Sequence, residues 1–353
     1  MTRPSRALID LNALLSNYKK LRALHGGKAF AVLKANAYGH GAVRCAKKLE
    51  MDADAFAVAF LEEGLELREA GIHKPILLLE GVFDVKELQK AANHSFWIVV
   101  SRHEQLEMIE QCSRAMRGLN VWLKLETGMN RLGLDVSLAP EYVSRLRATK
   151  VVSRVSFMTH LACADVEGDD FSIKQIEKLI NATKGLDCEV SFCNSARVLS
   201  AKGPRSDWAR LGIAMYGINT MPGSSFALEP VMELKSQIFD VKNVKKGESV
   251  GYGCTAQVSR DSRVGIVALG YADGYPRNAM GCSVSVDGRL TKTLGVISMD
   301  MLAVDITELE NSGLGSQVEL WGKHIHVSQV AQHARTIPYE LLCKVNRVSF
   351  LSA

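Results

Sequence analysis

The strongest constraint on the fold is an alternation. Eight short apolar runs recur along the first two thirds of the chain: Ala29–Leu33, Ala55–Phe60, Pro75–Leu79, Phe96–Val100, Val121–Leu125, Val155–Thr159, Cys188–Cys193 and Trp208–Ile213. Stretches of helical spacing lie before and between them, at Ala13–Leu24, Ala42–Leu49, Leu61–Ala70, His103–Met116, Leu138–Ala148 and Phe171–Thr183. Short apolar runs are buried strands by length. Strands alternating with amphipathic helices predict a parallel sheet of the α/β class. Eight repeats of that unit predict a (β/α)8 barrel. An open doubly wound sheet gives the same alternation, but no Gly-x-Gly-x-x-Gly fingerprint follows the first run.

After about Ser225 the alternation stops. Val231–Val241, Val258, Val264–Leu269, Cys282–Val286, Thr293–Ile306 and Gln317–His326 read as strands, and Asp287-Gly288 as a hairpin turn. Helical spacing returns only at Val327–Ala334. Residues 226–353 are therefore expected to form a second, mostly antiparallel β domain, joined to a barrel at 10–225 by the turn-rich segment Met221–Ser225. Ala7–Leu11 alternates weakly, as a short strand would. At 353 residues the chain has room for a barrel and a further domain.

The net charge of +5 is spread without a basic tract, so neither nucleic acid nor a membrane surface is indicated. The eight cysteines are scattered, with no Cys-x-x-Cys pair and no cysteine–histidine cluster of zinc spacing. That predicts reduced thiols, no metal site and a cytoplasmic protein. Met1–Arg6 has no apolar signal core, and no stretch reaches membrane-spanning length.

In a parallel barrel, chemistry gathers at the carboxyl ends of the strands. Lys34 ends the first run, followed by the turn Ala35-Asn36-Ala37-Tyr38-Gly39-His40-Gly41. Most lysines are solvated surface charges, but an amine at a strand end walled by apolar residues is suited to Schiff-base chemistry. Lys124 lies near the end of the fifth run, ahead of Glu126–Arg131; His160 ends the sixth; Ser195 follows the seventh; Arg210 sits in the eighth, before Gly212 and Ile213. Singly, each has a plain alternative. His160 could be a satisfied barrel histidine, Ser195 a helix cap, and Arg131 one half of a loop ion pair. Their convergence on one barrel mouth favours a functional reading. In the second domain, Tyr252 stands between glycines, Gly270–Arg277 is a turn rich in aromatic hydroxyls, and Ser298–Met301 interrupts an apolar strand. Each could equally be a structural turn.

The segment Lys-Ala-Asn-Ala-Tyr-Gly-His-Gly at Lys34, and the strand-end and second-domain motifs above, closely resemble the pyridoxal-phosphate alanine racemases of bacteria, over essentially the whole chain. The resemblance implies a racemase of L- and D-alanine that supplies peptidoglycan or breaks alanine down, with pyridoxal 5'-phosphate as cofactor. It implies that Lys34 carries the cofactor as an imine. Tyr38, Ser195, the amides of Gly212 and Ile213, and Tyr339 would meet the phosphate, with His160 and Arg210 completing the cofactor site. Arg210 at the pyridine nitrogen would favour the unprotonated ring, trading sink strength for fidelity.

Racemisation needs proton carriers on both faces of a planar carbanion. Lys34 serves one; Tyr252, reaching across from a second copy, is implied for the other, so the enzyme would be a homodimer with shared sites. A tyrosine at its ordinary pKa of about 10 is a poor base at neutral pH, so a cation must assist it; Arg131, helped by His160, is the candidate. Arg131 and Met299 would contact substrate, and Lys124 stands where relatives carry a carbamylated lysine; an unmodified lysine pointing to the surface is the alternative. Residues 1–9 are implied to supply a strand of the β domain.

Leu211 and Glu126 depart from the proline and the aspartate or asparagine usual in the family, which puts small shifts in pocket shape in doubt. Three other functions compete with this one. A broader small amino-acid racemase uses the same scaffold. A basic amino-acid decarboxylase of the same architecture would need an acid where this chain has Arg210. A non-catalytic pyridoxal-phosphate carrier would need only the barrel.

Overall fold

The computed structural model describes residues 3–112, 116–166, 168, 170–200, 203–221 and 224–352. Pro222 and Gly223 of the expected linker, and part of the expected helix His103–Met116, lie outside the described residues. The chain divides into two compact units: a barrel unit, Leu15–Ala37 with Gly41–Leu228, and a β unit, the residues up to Leu14, Tyr38–His40 and those from Glu229 onward.

The first elements are β1 (Arg6–Ile9) and α1 (Leu11–His25). The barrel strands are β2 (Lys28–Val32), β3 (Ala55–Val58), β4 (Ile76–Leu78), β5 (Trp97–Val100), β6 (Leu119–Glu126), the two-residue β7 (Leu134–Asp135) on the edge of β6, β8 (Val152–Met158), β9 (Val190–Ser191), β10 (Cys193–Asn194) and β11 (Trp208–Leu211). Between them run the short left-handed turn α2 (Lys34–Tyr38) and the helices α3 (Ala42–Leu49), α4 (Leu61–Glu69), α5 (Val85–Asn93), α6 (His103–Glu110), α7 (Ala139–Ala148), α8 (Phe171–Thr183) and α9 (Ser195–Leu199).

All eight apolar runs are strands. The sheet order β10-β11-β2-β3-β4-β5-β6-β8-β9 is parallel throughout, and its two ends, β9 and β10, are parts of one run separated only by Phe192. The seventh run therefore closes the ring, in two pieces rather than one. Helix α6, expected over His103–Met116, ends at Glu110, and Gln111 and Cys112 follow as turn and bend.

Side-chain alternation decides what faces the barrel interior. The Phe30 ring meets Trp122 at 5.4 Å and Trp97 at 6.1 Å, from strands that are not its neighbours, and stacks on Trp208 at 4.5 Å. These four rings fill the amino-terminal half of the barrel. Two residues further along their strands, Trp122 is followed by Lys124 and Trp208 by Arg210, so the period that buries the aromatic plug directs both cations into the same interior toward the carboxyl ends. The start of β2 is tied down separately: Arg22 donates to both oxygens of Asp54 (2.7 and 2.8 Å), whose Oδ2 accepts from Ala29 N at 2.9 Å.

In the β unit the strands are β12 (Met232–Val244), β13 (Ser249–Val250), β14 (Ala256–Gln257), β15 (Ser262–Val267), β16 (Ser283–Val286), β17 (Arg289–Leu294), β18 (Leu302–Asp305), β19 (Gln317–Trp321) and β20 (Ser349–Ser352), with α10 (Val327–His333) and α11 (Pro338–Lys344). The order β15-β18-β17-β16-β19-β12 closes on itself where β12 also pairs with β15. β1 pairs antiparallel with β12 and parallel with β20, extending this sheet. The hairpin at Asp287-Gly288 places both residues at positive φ, 48° and 83°, as a two-residue type I′ turn requires.

Three expected strands differ here: Val258 lies just past β14 and not in a strand, Gln317–His326 is a strand only to Trp321, and the third is split. Thr293–Ile306 is not one strand: it breaks between β17 and β18, where Gly295 passes so close to the Val250 carbonyl that no Cβ would fit. Helix α11, which carries Tyr339, and strand β20 were not anticipated. Seven residues opened by a proline, and four half-exposed residues at the end of the chain, carry little periodic signal.

Candidate active site

Lys34 stands just beyond β2, half-buried, where Leu33 N still donates to Ala57 O at 2.8 Å. The backbone then enters an unusual turn. Ala35, Asn36, Ala37 and Tyr38 all have φ between 52° and 54°. L-residues pay about 1–2 kcal/mol each for this left-handed conformation, so the turn has to be held. Asn36 holds it from one side, with its carbonyl accepting from Gly41 N at 3.0 Å and its Oδ1 from Ala42 N at 2.8 Å.

Facing the barrel interior, Lys124 is only 8% exposed, which excludes the surface-pointing alternative. Burial pulls its pKa down to about 8; Glu80 resists the shift, and Arg210, Arg131 and Lys34 add to it. Arg210 is 6% exposed and is pulled down to about 10, again by burial, so it remains charged at neutral pH. Its hydrogen bonds go to neutral acceptors. Nη1 donates to Ser191 O (2.9 Å) and Ser191 Oγ (2.6 Å); Nη2 donates to Thr159 O (2.6 Å) and lies 3.3 Å from His160 Nδ1. A guanidinium can only donate, so His160 Nδ1 accepts and the ring proton belongs on Nε2. Burial first, then Arg210, Lys124, Arg131 and Lys34, push the His160 pKa well below its ordinary value, so this imidazole is neutral at pH 7. Arg131, exposed on the loop after β6, thus acts on both Lys124 and His160.

At the next strand ends, Asn194 Oδ1 caps α9 by accepting from Arg197 N at 3.0 Å, so Ser195 is not the cap. Ser195 Oγ instead accepts from Gly212 N (3.1 Å) and Ala214 N (3.4 Å). The Gly212 amide is therefore engaged, and the serine hydroxyl keeps a proton to donate. Ile213 is buried at the start of a 3-10 turn, Ile213–Tyr216. Glu126 closes its loop by accepting from Gly128 N.

The remaining candidates belong to the β unit. Tyr38 is buried with its ring 5.9 Å from that of Tyr339, and burial raises its phenol pKa. Tyr252 is 65% exposed in a short turn between Gly251 and Gly253, and Met299 is 52% exposed. Tyr271 N and Ala272 N donate to Ser298 O and Met299 O, both at 3.0 Å. Gly270 passes so close to the Met299 carbonyl that a Cβ would overlap it, which locks these two loops together.

Sequence reasoning missed Ser191 and Thr159 as the acceptors that orient Arg210, and Glu80 as the acid acting on Lys124. Alternation along the strands could have found Ser191's neighbours, but nothing in sequence marks which carbonyl a buried guanidinium will reach. Among the described residues no cluster of His, Cys, Asp and Glu is placed to hold a metal ion, and no helix is long and apolar enough to cross a membrane. All eight cysteines are free.

A barrel mouth holding Lys34, Lys124, Arg131 and Arg210, with one neutral imidazole among them, is built to receive an anion beside an amine. Comparison with known proteins identifies the family. The family model for the alanine racemase N-terminal domain matches residues 9–220, and that for the C-terminal domain residues 231–350. The chain is 50% identical over 349 residues to the alanine racemase of Azoarcus sp. strain BH72, covering 99% of both chains. Its fold superposes on the biosynthetic alanine racemase of Pseudomonas aeruginosa with a TM-score of 0.93, at 40% identity and full coverage of both. It superposes on the Bartonella henselae alanine racemase, solved with covalently bound pyridoxal phosphate, with a TM-score of 0.90, at 28% identity and 99% coverage of both. With its N-terminal and C-terminal parts both matched, and its relatives covered from end to end, the chain belongs to the alanine racemase family.

Proposed function

We propose that the chain interconverts L- and D-alanine as a pyridoxal-phosphate enzyme whose cofactor amine is Lys34. One observation carries this: four cationic side chains and a neutral His160 converge on a single barrel mouth, with Arg210 anchored, among the described residues, by neutral acceptors. The residues present fit the cofactor. An amine stands at a strand end, cations favour an anionic ligand, Ser195 retains a hydroxyl proton, and a buried donor-only group is available for an unprotonated ring nitrogen.

Pyridoxal phosphate, when bound, supplies the electron sink that loosens the α-proton of an amino acid. The protein positions the reactants and moves the protons. Lys34 would hold the cofactor carbonyl carbon and, once displaced by substrate, carry a proton at one face of the α-carbon. Tyr252 of the partner subunit would serve the other face, its deprotonation helped by Arg131; its exposure in the single chain leaves the phenol available for this. Arg210 would donate to the ring nitrogen, with Ser191, Thr159 and His160 orienting it. Ser195, Tyr38, Tyr339 and the Ile213 amide would meet the phosphate, with the expected Gly212 amide given instead to Ser195 Oγ; Arg131 and Met299 would crowd the substrate and favour a small side chain. Lys124, an amine with a pKa of about 8, is suited to carbamylation, which would place an anion among these cations.

Single enantiomers of alanine, serine and lysine, incubated with the protein in deuterated water, test the activity through α-proton exchange and optical rotation. Inversion of alanine with solvent deuterium incorporated is expected. Inversion of serine at a similar rate would favour the broader racemase. Exchange without inversion would mean only one working base, and no exchange would favour the carrier. Sedimentation of the holoprotein tests the dimer.

A further inference from the structure

We propose that Glu63 is a positioning residue for Lys34, clamping the left-handed turn that sets the direction in which the lysine leaves the barrel wall. Glu63 stands at the third position of α4 and caps that helix: its Oε2 accepts from Ala59 N at 2.7 Å and Phe60 N at 3.2 Å. A capping carboxylate needs no more than this. The second oxygen, Oε1, turns the other way and accepts from Ala35 N at 2.6 Å. That N–H belongs to the peptide bond leaving Lys34, so holding it fixes the lysine's ψ. One half-buried side chain thus crosslinks the carboxyl ends of β2 and β3 through three backbone donors.

The clamp acts on a strained stretch of backbone. Ala35 to Tyr38 run left-handed without a glycine; Ala37 N donates to Leu33 O at 2.7 Å across the start of the turn, and Asn36 secures the far side through Gly41 N and Ala42 N. Glu63 adds a side-chain hold on Ala35 N, in the peptide that follows Lys34. A carboxylate suits the job because both oxygens accept. A glutamine offers one oxygen and an NH2 group, and must surrender either the cap or the clamp.

This role for Glu63 rests on Lys34 being the imine-forming amine, and the test separates the two. Holoenzyme is stripped of cofactor, pyridoxal phosphate is added back, and imine formation is followed by absorbance, then trapped with borohydride and mapped. Glu63→Gln is expected to fold, to form the Lys34 imine about ten-fold more slowly or worse, and to lose kcat with KM little changed. The exposed neighbour Glu62→Gln is expected to match the unaltered protein in all three. If Glu63→Gln does not fold, Glu63→Asp carries the same expectation, since it keeps the charge near the cap but is a methylene short of Ala35. A variant that folds and forms the imine at the unaltered rate overturns the role of Glu63. An unaltered protein that traps no imine at Lys34 overturns the assignment of the lysine itself, and with it the clamp's purpose.

Discussion

Replacing Lys124 by methionine should make the protein more stable at neutral pH, by an amount that fades as pH rises. The amine is buried in the barrel, and its folded-state pKa of about 8 lies below the ordinary 10.5. Below about pH 8 both folded and unfolded states carry the proton, and the folded state bears the full cost of a desolvated charge among cations. Between about pH 8 and 10.5 the folded state releases its proton while the unfolded state keeps it, so native stability rises with pH in that window. A gap of 2.5 pH units at about 1.4 kcal/mol each gives about 3 kcal/mol for a side chain only 8% exposed.

Methionine keeps the length and apolar stem without the charge. Urea denaturation in CO2-free buffer should therefore show Lys124→Met ahead by up to about 3 kcal/mol at pH 7, with less than about 1 kcal/mol left near pH 10. Adding bicarbonate at pH 7 should narrow the gap if the neutral amine takes up CO2, because the resulting anion would be paired by Arg131, Arg210 and Lys34. An equal gap at pH 7 and pH 10 without CO2 would refute the assignment of the cost to the buried charged amine.

Other perturbations follow from particular contacts. Ser191→Ala removes the hydroxyl 2.6 Å from Arg210 Nη1 but leaves the Ser191 carbonyl, so a loss of about 1–2 kcal/mol is expected by urea denaturation; no loss would mean that the hydroxyl does not hold the guanidinium. At Asp54, burial alone would raise the carboxyl, but the Arg22 and Ala29 donors outweigh it and hold the pKa below its usual value. The stability advantage over Asp54→Asn, about 1–2 kcal/mol, should therefore be present above the ordinary carboxylate pKa and lost as pH falls below it, as acid titrations of both proteins would show. Tyr252→Phe should cut racemisation about 10²-fold or more while one enantiomer still exchanges its α-proton with solvent; equal loss for both enantiomers would argue against a one-face role. Gly39→Ala should destabilise by at least about 1–3 kcal/mol in thermal melts, because φ is +80° and a Cβ there overlaps the Leu342 carbonyl.

Much of this was legible in the chain alone. Period and length marked every barrel strand except the two-residue β7, and bounded Ala42–Leu49 and Phe171–Thr183 to the residue. They did so because a buried strand and an amphipathic helix write their burial into local spacing. The same spacing listed Lys34, Lys124, His160, Ser195 and Arg210 as strand-end residues. What local spacing does not carry is contact between distant segments. The break at Gly295 is imposed by the Val250 backbone, 45 residues earlier. Only the closed ring of strands puts Ser191 and Thr159 under Arg210, and only that burial among cations makes His160 neutral and lowers the pKa of Lys124. The left-handed turn after Lys34 is made of residues that prefer the opposite hand; besides its own local hydrogen bonds it is met at Ala35 by Glu63, 28 positions away. Sequence determined which residues line the strands and where they end; the tertiary structure decided their protonation and aim, because both depend on desolvation and on partners that spacing along the chain does not reveal.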